Sequence, residues 1–287
     1  MSKTTEEKWL FEITPKRGLF ELNFKEIWQY RDLLFLFVKR DIVTVYKQTI
    51  LGPLWFFIQP LFTSVIFTLI FNNVANIQTP GVPSLIFNMA GITIWNYFKV
   101  CLTDSSNTFR SNQGIFSKVY FPRVIVPLSK VMSNLMKFGI QLLIIVSFYI
   151  YYVSIGKEIR PSVNLLLLPL LIVILALFGL GFGMILSSMT TKYRDLNNLI
   201  TFGTQLLMYL SAVMYPIQVI REKIPKYAWL VEYNPLAIVI ESFRYMIFSS
   251  GDLNYVALGL SLLASILVFL FGLMIFNKAE KNFIDTV

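Results

Sequence analysis

Long runs of apolar residues, separated by short polar segments, make up most of this chain. No charged residue occurs from Gln48 to Phe98 or from Pro161 to Thr191. A helix needs about 20 apolar residues to cross the hydrocarbon core of a bilayer, which is roughly 30 Å thick. The segments of this length are 51–72, 84–103, 131–153, 163–189, 197–216 and 254–276. The pattern therefore predicts an all-α integral membrane protein with six transmembrane helices per protomer.

The chain ahead of these spans, residues 1–50, contains a segment with helical periodicity. Between residues 23 and 46, apolar side chains recur at helical spacing while the charged ones lie elsewhere on the helical wheel. The apolar set is Phe24, Ile27, Trp28, Phe35, Val38, Ile42 and Val45. Such a helix favours a position on the cytoplasmic leaflet. The alternative is a docking helix that makes no membrane contact.

Residues 217–252 are too apolar and too numerous for an ordinary external loop. Asn234 and Pro235 suit the N-cap and the first position of a helix, and the roughly 13 apolar residues that follow are too few to span a bilayer. This pattern predicts re-entrant or interfacial helices before the last span. Glu241 and Arg244, at i and i+3, are placed to pair and so lower the cost of dipping into the bilayer.

Glycines in the fourth span predict close helix packing. Gly179 and Gly183 form a GxxxG pattern, which lets two helix backbones approach. The intervening Gly181 gives a GxGxG spacing, but no soluble strand precedes it, so a dinucleotide site is not indicated. The sequence has no GxxxxGK[ST] loop either. If ATP drives this protein, a second polypeptide must bind the ATP.

Composition agrees with a membrane protein and narrows the chemistry. Of 287 residues, 56% are hydrophobic and 14% charged, against about 25% charged in average soluble domains. The chain has no histidine, and Cys101 is its one cysteine. These counts exclude imidazole catalysis, histidine metal ligands and an intramolecular disulfide. We therefore predict no catalytic residue, no metal site and no cofactor bound by this chain.

The distribution of basic residues predicts the orientation. With both termini in the cytoplasm, only six of the 25 basic residues fall outside: Lys157, Arg160, Arg221, Lys223, Lys226 and Arg244. This distribution obeys the positive-inside rule. The net charge of +9 then reflects topology and contact with anionic lipids, and nucleic acid is not a predicted partner. Residues 51–277 form the predicted transmembrane domain, and residues 278–287 form a cytoplasmic tail.

Acidic residues are almost absent from the spans, which argues against a proton- or sodium-coupled carrier. Asp104 and Asp195 are the near-membrane cytoplasmic carboxylates that a lipid-linked sugar transferase would require.

Aromatic residues are abundant, with 26 Phe and 14 Tyr. They either form interfacial belts or line a passage in which sugar rings stack on them. The candidates for such a lining are Trp55, Phe56, Phe62, Trp95, Tyr97, Tyr209 and Tyr215.

Five segments together resemble the ABC-2 type membrane subunits that export O-antigen, capsular polysaccharide and teichoic acid. They are RDIVTVYKQTILGPLWFFIQPL (40–61), SKVYFPRVIVPLS (117–129), GFGMILSSMTTKYRDLNNL (181–199), MYPIQVI (214–220) and YNPLAIVIESFR (233–244). The resemblance implies a six-helix half-transporter that forms a homodimer and pairs with two ATPase subunits, which hold ATP and Mg²⁺. It also implies a lipid-linked glycan on an undecaprenyl diphosphate carrier, O-antigen being the first expectation, and an aromatic-lined tunnel. Besides glycan export and the lipid-linked sugar transferase, a small-molecule drug exporter of the same superfamily is the third alternative.

The segment between spans two and three is the predicted contact with the ATPase. Apolar residues at positions 115, 116, 119 and 120 give one edge of a short helix, which Pro122 ends. The resemblance identifies it as similar to a coupling helix, comprising Gly114, Ile115, Phe116, Ser117, Lys118, Val119 and Tyr120. A simple interfacial loop is the alternative. The cytoplasmic cations that an anionic diphosphate would first meet are Arg40, Lys47, Arg110, Lys118 and Arg123. The alternative for each is that its charge only sets the orientation of the chain in the membrane.

Overall fold

The computed structural model describes residues 24–47, 52, 54–79, 81–116, 118–190, 193 and 195–284, and these residues form helices and connecting turns without a strand. Of the predicted segments, residues 1–23, 48–51, 53, 117, 191, 192, 194 and 285–287 lie outside this described part. Five helical segments are long and apolar enough to cross a membrane: Leu54–Val74, Ser84–Ser106, Ile125–Ser154, Val163–Thr190 and Tyr255–Glu280. Five of the six predicted spans are therefore confirmed as helices of sufficient length.

The elements are numbered in chain order. They are α1 (Phe24–Gln29), α2 (Arg31–Lys47), α3 (Leu54–Phe67), α4 (Ser84–Ser106), α5 (Thr108–Ser111), α6 (Gln113–Phe116), α7 (Ile125–Ser154), α8 (Leu168–Thr190), α9 (Leu196–Leu210), α10 (Ile217–Lys223), α11 (Ala228–Glu232), α12 (Pro235–Phe248) and α13 (Tyr255–Ile284). A π-helical segment, Thr68–Val74, continues α3, and 3₁₀ turns, Val163–Leu167 and Pro225–Tyr227, precede α8 and α11.

The predicted fifth span, 197–216, differs in the structure. Helix α9 has 15 residues, about 22 Å at 1.5 Å per residue, which is less than the hydrocarbon core. Residues 211–215 form turns and bends instead of a last helical turn. Ala212 adopts a φ of 52°, in the left-handed region that interrupts a helix. The helix therefore ends six residues before the boundary that the apolar run predicted.

The N-terminal helical segment forms, with a turn at Tyr30 that divides it into α1 and α2. Helix α2 packs against α7. Phe37, which the predicted apolar face omitted, is buried and meets the ring of Phe121 at 5.7 Å. Trp28 and Phe35, which belonged to that face, are exposed. One side of this segment thus packs on the bundle while apolar side chains remain on another.

Helices α4, α8 and α13 form the centre of the bundle, with α8 between the other two. Glycines permit this arrangement. A Cβ at Gly179 would lie 2.6 Å from Cys101 Cβ, and one at Gly181 would lie 2.7 Å from the carbonyl oxygen of Val268. A Cβ at Gly272 would collide with the backbone of Gly181. The close packing predicted from Gly179 and Gly183 is confirmed, and α8 uses two faces for it.

Helix α12 begins as the sequence predicts. The side chain of Asn234 accepts a hydrogen bond from the backbone N–H of Leu236 at 3.0 Å, and Pro235 occupies the first helical position. Glu241 and Arg244 pair at 3.6 Å, and both are buried. The predicted cap and the predicted ion pair are therefore confirmed, while a re-entrant position in a bilayer stays a prediction.

Candidate functional site

Different connecting segments form the two ends of the bundle. Helix α13 has 30 residues and is about 45 Å long. Near its C-terminus, Glu280 pairs with Arg123 at 3.9 Å, while at its start the hydroxyl of Tyr255 donates to Asn164 Oδ1 at 3.0 Å. The segment joining α4 to α7 therefore lies at the opposite end of the bundle from the segment joining α7 to α8.

Two short helices, α5 and α6, follow α4, and the predicted coupling residues begin within α6. Helix α6 is one turn long and contains Gly114, Ile115 and Phe116. Phe116 is buried, whereas Lys118, Val119 and Tyr120 are exposed beyond it. The predicted apolar edge is thus divided: Phe116 anchors the segment to the bundle, and the residues after it form an exposed tip.

The anchor belongs to a run of five phenylalanine rings, which we call the aromatic ladder: Phe37, Phe121, Phe116, Phe109 and Phe276. Successive ring centroids lie 5.7, 5.7, 6.1 and 4.6 Å apart in that order. These distances are typical of favourable aromatic pairs, which contribute about 0.5–1.5 kcal/mol each beyond the area they bury. The ladder connects the coupling segment to α2 on one side and to the last span, α13, on the other.

Arg123 supports the same junction. Its Nη1 donates to the backbone carbonyl of Glu280 at 3.2 Å, and its guanidinium lies over the ring of Phe116 at 5.1 Å. Burial lowers the pKa of Arg123, and the Glu280 carboxylate acts in the opposite direction. Arg123 therefore stabilises the end of α13. Because it is 7% exposed, it is poorly placed to bind a diphosphate.

A cavity of about 350 Å³, to which charged and polar residues contribute, lies among α2, α3, α4 and α7. Arg40, Lys130 and Lys137 contribute three cations to its lining. Asp41 accepts from Arg40 and from Lys130, each at 2.9 Å. Lys137 Nζ lies 5.5 Å from the ring centre of Phe56 and, within the described part of the chain, has no carboxylate within 4 Å. We call this the basic cavity.

Of the cations predicted to meet a diphosphate, Arg40 lines the basic cavity, while Lys47 and Arg110 are exposed elsewhere. Sequence reasoning did not assign Lys130 and Lys137 to the diphosphate. The signal was present, because positions 130, 133, 134 and 137 share one face of α7. Asn134 on this face donates to Asp104 Oδ2 at 3.0 Å. Asp104, the second carboxylate of the cavity after Asp41, therefore also has a hydrogen-bond partner.

The predicted channel aromatics fall into two groups. Trp55, Phe62 and Tyr209 are exposed on α3 and α9, and Phe56 and Tyr215 are partly buried. Trp95 and Tyr97 are each 3% exposed and pack inside the protomer, where Trp95 meets Phe98 and Tyr97 meets Phe138. The structure therefore brings the exposed aromatics to the surfaces of α3 and α9 and gives Trp95 and Tyr97 a packing role.

Exposed polar side chains accompany these aromatics. Gln59 on α3 is exposed, as are Asn198, Thr201 and Gln205 on α9. Positions 198, 201 and 205 share one face of α9. In the described residues, the side-chain amides of Gln59 and Gln205 have no hydrogen-bond partner. We call these two faces, on α3 and α9, the polar surface.

At the opposite end, Arg244 holds the segment that ends α9. Its guanidinium donates to the carbonyl oxygens of Ala212 at 2.9 Å and Val213 at 2.7 Å. The same group lies 3.7 Å from the ring centre of Phe87 on α4. A Cβ at Gly91, the next turn of α4, would collide with Arg244 and with the Val213 carbonyl. Local sequence carries no signal for these contacts, because Arg244 is more than 30 positions from Ala212 and Val213 and more than 150 from Phe87 and Gly91.

On the same end, Arg221 of α10 pairs with Glu232 of α11 at 2.7 Å. The Glu232 carboxylate raises the pKa of Arg221. Both groups are solvent-accessible, so this pair orders the short helices more than it stabilises the fold. It forms part of the wall of a cavity between these helices and the start of α13.

Comparison with known proteins agrees with this arrangement. Residues 32–248 match the family described as ABC-2 type transporter. The chain is 31% identical to the O-antigen export system permease protein RfbA of Klebsiella pneumoniae over 255 residues, covering 88% of this chain and 94% of that protein. It is 26% identical to the permease of the same name from Myxococcus xanthus, over 77% of this chain and 82% of that one. The polysialic acid transport protein KpsM of Escherichia coli is 23% identical, over 87% and 93%.

The family match covers most of the chain, and it includes α2 to α12 with the coupling segment, the basic cavity and the polar surface. Together with the five long apolar helices, it indicates a multi-pass membrane protein. This chain belongs to the ABC-2 type transporter family.

Proposed function

We propose that this chain is the permease subunit of an ABC exporter that moves an undecaprenyl-diphosphate-linked polysaccharide, O-antigen, from the cytoplasmic to the outer face of the inner membrane. The observation that carries the proposal is similarity along nearly the whole length of O-antigen export permeases at 31% identity. Export of a capsular polysaccharide or of teichoic acid is the second candidate, since a polysialic acid transport protein is also similar, at 23% identity.

The proposed topology has six spans and both termini in the cytoplasm. Thr190, at the end of α8, donates to the carbonyl oxygen of Ser106, at the end of α4. Helix α8 therefore ends beside the coupling segment, whereas α13 starts at the opposite end, so residues 191–254 must cross between them. Helix α9, extended by residues 211–215, makes that crossing. The end that carries the coupling segment and the basic cavity is cytoplasmic, in accord with the positive-inside rule.

Helices α10 to α12 then lie at the outer end as interfacial or re-entrant helices. Arg244 and Glu241 neutralise each other there, which lowers the cost of placing charge near the bilayer. At the cytoplasmic end, α1 and α2 lie along the leaflet, with Trp28 of α1 and Phe35 of α2 exposed to lipid.

The polar surface forms the passage, together with the same surface of a second copy. An amide that faces lipid without a hydrogen-bond partner costs several kcal/mol, so Gln59 and Gln205 favour water or protein as their surroundings. A homodimer with twofold symmetry apposes identical surfaces. The exposed aromatics of the same helices, Trp55, Phe62 and Tyr209, give a surface on which sugar rings stack while the glycan slides.

The basic cavity receives the diphosphate at the cytoplasmic end. Lys137 contributes a cation with no carboxylate partner in the described part of the chain, and Arg40 and Lys130 share one carboxylate, Asp41. The cations thus exceed what the local carboxylates neutralise. Lysine is a common point-charge ligand for phosphate.

A separate ATPase subunit hydrolyses ATP with Mg²⁺, and two such subunits serve the homodimer. The exposed tip of the coupling segment, Lys118 to Tyr120, docks on that subunit. Closure of the ATPase pair then moves the tip, and the aromatic ladder carries this movement to α2 and α13. In this account the chain itself is a transport subunit and has no catalytic residue.

Deletion of this chain in its native cells tests the proposed function. The expected result is loss of surface polysaccharide with accumulation of lipid-linked glycan inside the cell, restored by re-expression of the chain. Unchanged surface polysaccharide would contradict glycan export and would favour a small-molecule substrate. Loss of the lipid-linked glycan itself would instead indicate a sugar transferase.

A further inference from the structure

A cavity of about 580 Å³ lies among α10, α11, α12 and the first turns of α13, at the end opposite the coupling segment. This volume is within the range of small-molecule sites in proteins. Its polar lining includes Gln218, Arg221, Glu232, Tyr233, Asp252 and Asn254. Neither the passage nor the coupling mechanism proposed above uses these residues. We call this the outer cavity.

The outer cavity presents both acceptors and donors. The Glu241 side chain lines it and is 10% exposed, with Oε2 buried 3.6 Å from Arg244. Asp252 adds an exposed carboxylate. Arg221 pairs with Glu232 through Nε at 2.7 Å, which leaves its Nη groups as donors. Because ionised carboxylates only accept hydrogen bonds and a guanidinium only donates them, a ligand that complements this wall must do both.

Apart from Ser242 and Ser261, the rest of the lining is apolar. Val256, Ala257 and Leu260 of α13 form one side of the cavity, and Ile217 and Ile238 contribute from α10 and α12. Tyr233 at the rim is exposed. A small hydrated cation gains nothing from this apolar side, whereas a sugar ring has hydroxyl donors at its edge and C–H groups on its face.

We propose that the outer cavity binds one or two hydroxyl-rich sugar residues of the glycan as it leaves the membrane. This inference rests on the proposed function and adds a glycan site on the outer side. A site of this kind at the exit holds the emerging polymer between ATP cycles and opposes its return. Asp252, exposed at the rim, is the acceptor we assign to it, and the Glu241 side chain forms part of the wall.

Cysteine protection in whole cells tests the inference. The native Cys101 is fully buried and is the chain's one cysteine, so a thiol placed at Ala257→Cys reports on the cavity. Lys157→Cys, on the exposed segment after α7, is the matched control outside it. Labelling with a membrane-impermeant maleimide is compared in cells that make the glycan and in cells that lack its synthesis.

We expect glycan synthesis to slow labelling of Ala257→Cys at least threefold and to leave Lys157→Cys unchanged. Adding Asp252→Ala should remove most of this protection, whereas Glu222→Ala, an exposed acidic residue of α10 outside the lining, should not. Equal labelling of Ala257→Cys in both cell types, while glycan still reaches the surface, would overturn the inference and leave the proposed function standing. Protection by Ca²⁺ or Mg²⁺ in cells without glycan would overturn it in favour of a cation site. Absence of glycan export by the parent chain would overturn both.

Discussion

The Arg244 guanidinium donates to the carbonyl oxygen of Val213 at 2.7 Å. Helix α12 thereby holds residues 211–215, the segment that follows α9. The carbonyls at the end of a helix have no partner within it. Arg244 supplies donors to two carbonyls of this segment while its own charge is balanced by Glu241. Arg244 therefore holds the geometry of residues 211–215 together with Asn234, whose side-chain amide donates to the carbonyl oxygen of Leu210 at 3.0 Å.

Arg244→Ala should therefore destabilise the protein strongly. It leaves two buried carbonyls without donors and Glu241 without its cation, and breaking a buried ion pair in this way costs about 3–5 kcal/mol. Thermal unfolding of the purified protein in detergent measures the loss. Arg244→Lys should be nearly as damaging, because an ammonium does not reproduce the planar fork of donors.

Arg221→Ala is the matched control for this prediction. Arg221 also pairs with a glutamate, but it is exposed, and exposed pairs contribute about 0–1 kcal/mol. A fall in thermal stability for Arg221→Ala equal to that for Arg244→Ala would show that burial and carbonyl contacts are not what makes Arg244 important.

Gly272→Ala should separate α8 from α13. The new Cβ would collide with the backbone of Gly181, which has no side chain that can move aside. Overpacking of this kind costs about 1–3 kcal/mol. In the same helix, Gly259→Ala meets nothing within 4 Å and should leave the unfolding temperature unchanged or raise it slightly. Equal effects of the two substitutions would contradict the close helix contact.

The Arg244 contacts and the close packing of α8 on α13 show what the sequence could and could not predict. The existence and position of α4, α7, α8 and α13, the Asn234 cap and the GxxxG contact depend on local composition and spacing, and they were predictable, although α7 begins six residues before its predicted start. The early end of α9 was not, because the apolar run continues through residues 211–215 while Ala212 leaves the helical region. The Arg244 contacts to carbonyls and the meeting of Arg40 with Lys130 and Lys137 join distant segments, which no single-sequence pattern encodes.

Val119→Ser should weaken binding of the ATPase subunit without unfolding the permease. Val119 is exposed at the tip of the coupling segment, and loss of about 1.5 kcal/mol of apolar burial corresponds to roughly a tenfold rise in Kd. Interferometry with the immobilised permease and purified ATPase measures this Kd. Val163→Ser, exposed at the opposite end, is the control and should bind the ATPase normally. Unaltered binding by Val119→Ser would remove the tip from the interface.

Phe116→Ala should interrupt the aromatic ladder at its centre. Removing a buried phenylalanine side chain lowers the free energy of unfolding by about 3–5 kcal/mol. In this variant the lost contacts are those that join the coupling segment to α2 and α13. We expect ATP hydrolysis to continue while glycan exported per ATP falls several-fold, and we expect Phe116→Leu to retain most of the coupling. Normal export per ATP in a folded Phe116→Ala variant would show that the ladder does not transmit movement.

Lys137→Met should impair use of the lipid-linked substrate. A hydrogen bond to a charged group contributes about 1.5–3 kcal/mol, so the KM for the glycan carrier should rise at least tenfold, with Lys137→Arg retaining most of the affinity. The measurement is the substrate dependence of transport in proteoliposomes. Lys157→Met removes an exposed cation from the opposite end and serves as the control. An unchanged KM for Lys137→Met would place the diphosphate outside the basic cavity.

Reconstituted transport tests the central claim most directly. The permease and its ATPase are placed in proteoliposomes with the ATPase outside, and labelled lipid-linked glycan is supplied on the same side. Export predicts that ATP moves the glycan into the lumen, where an added glycosidase no longer cleaves it, and that a non-hydrolysable ATP analogue gives no such protection. Glycan that stays fully accessible to the glycosidase, despite ATP hydrolysis by the assembled complex, would contradict the account.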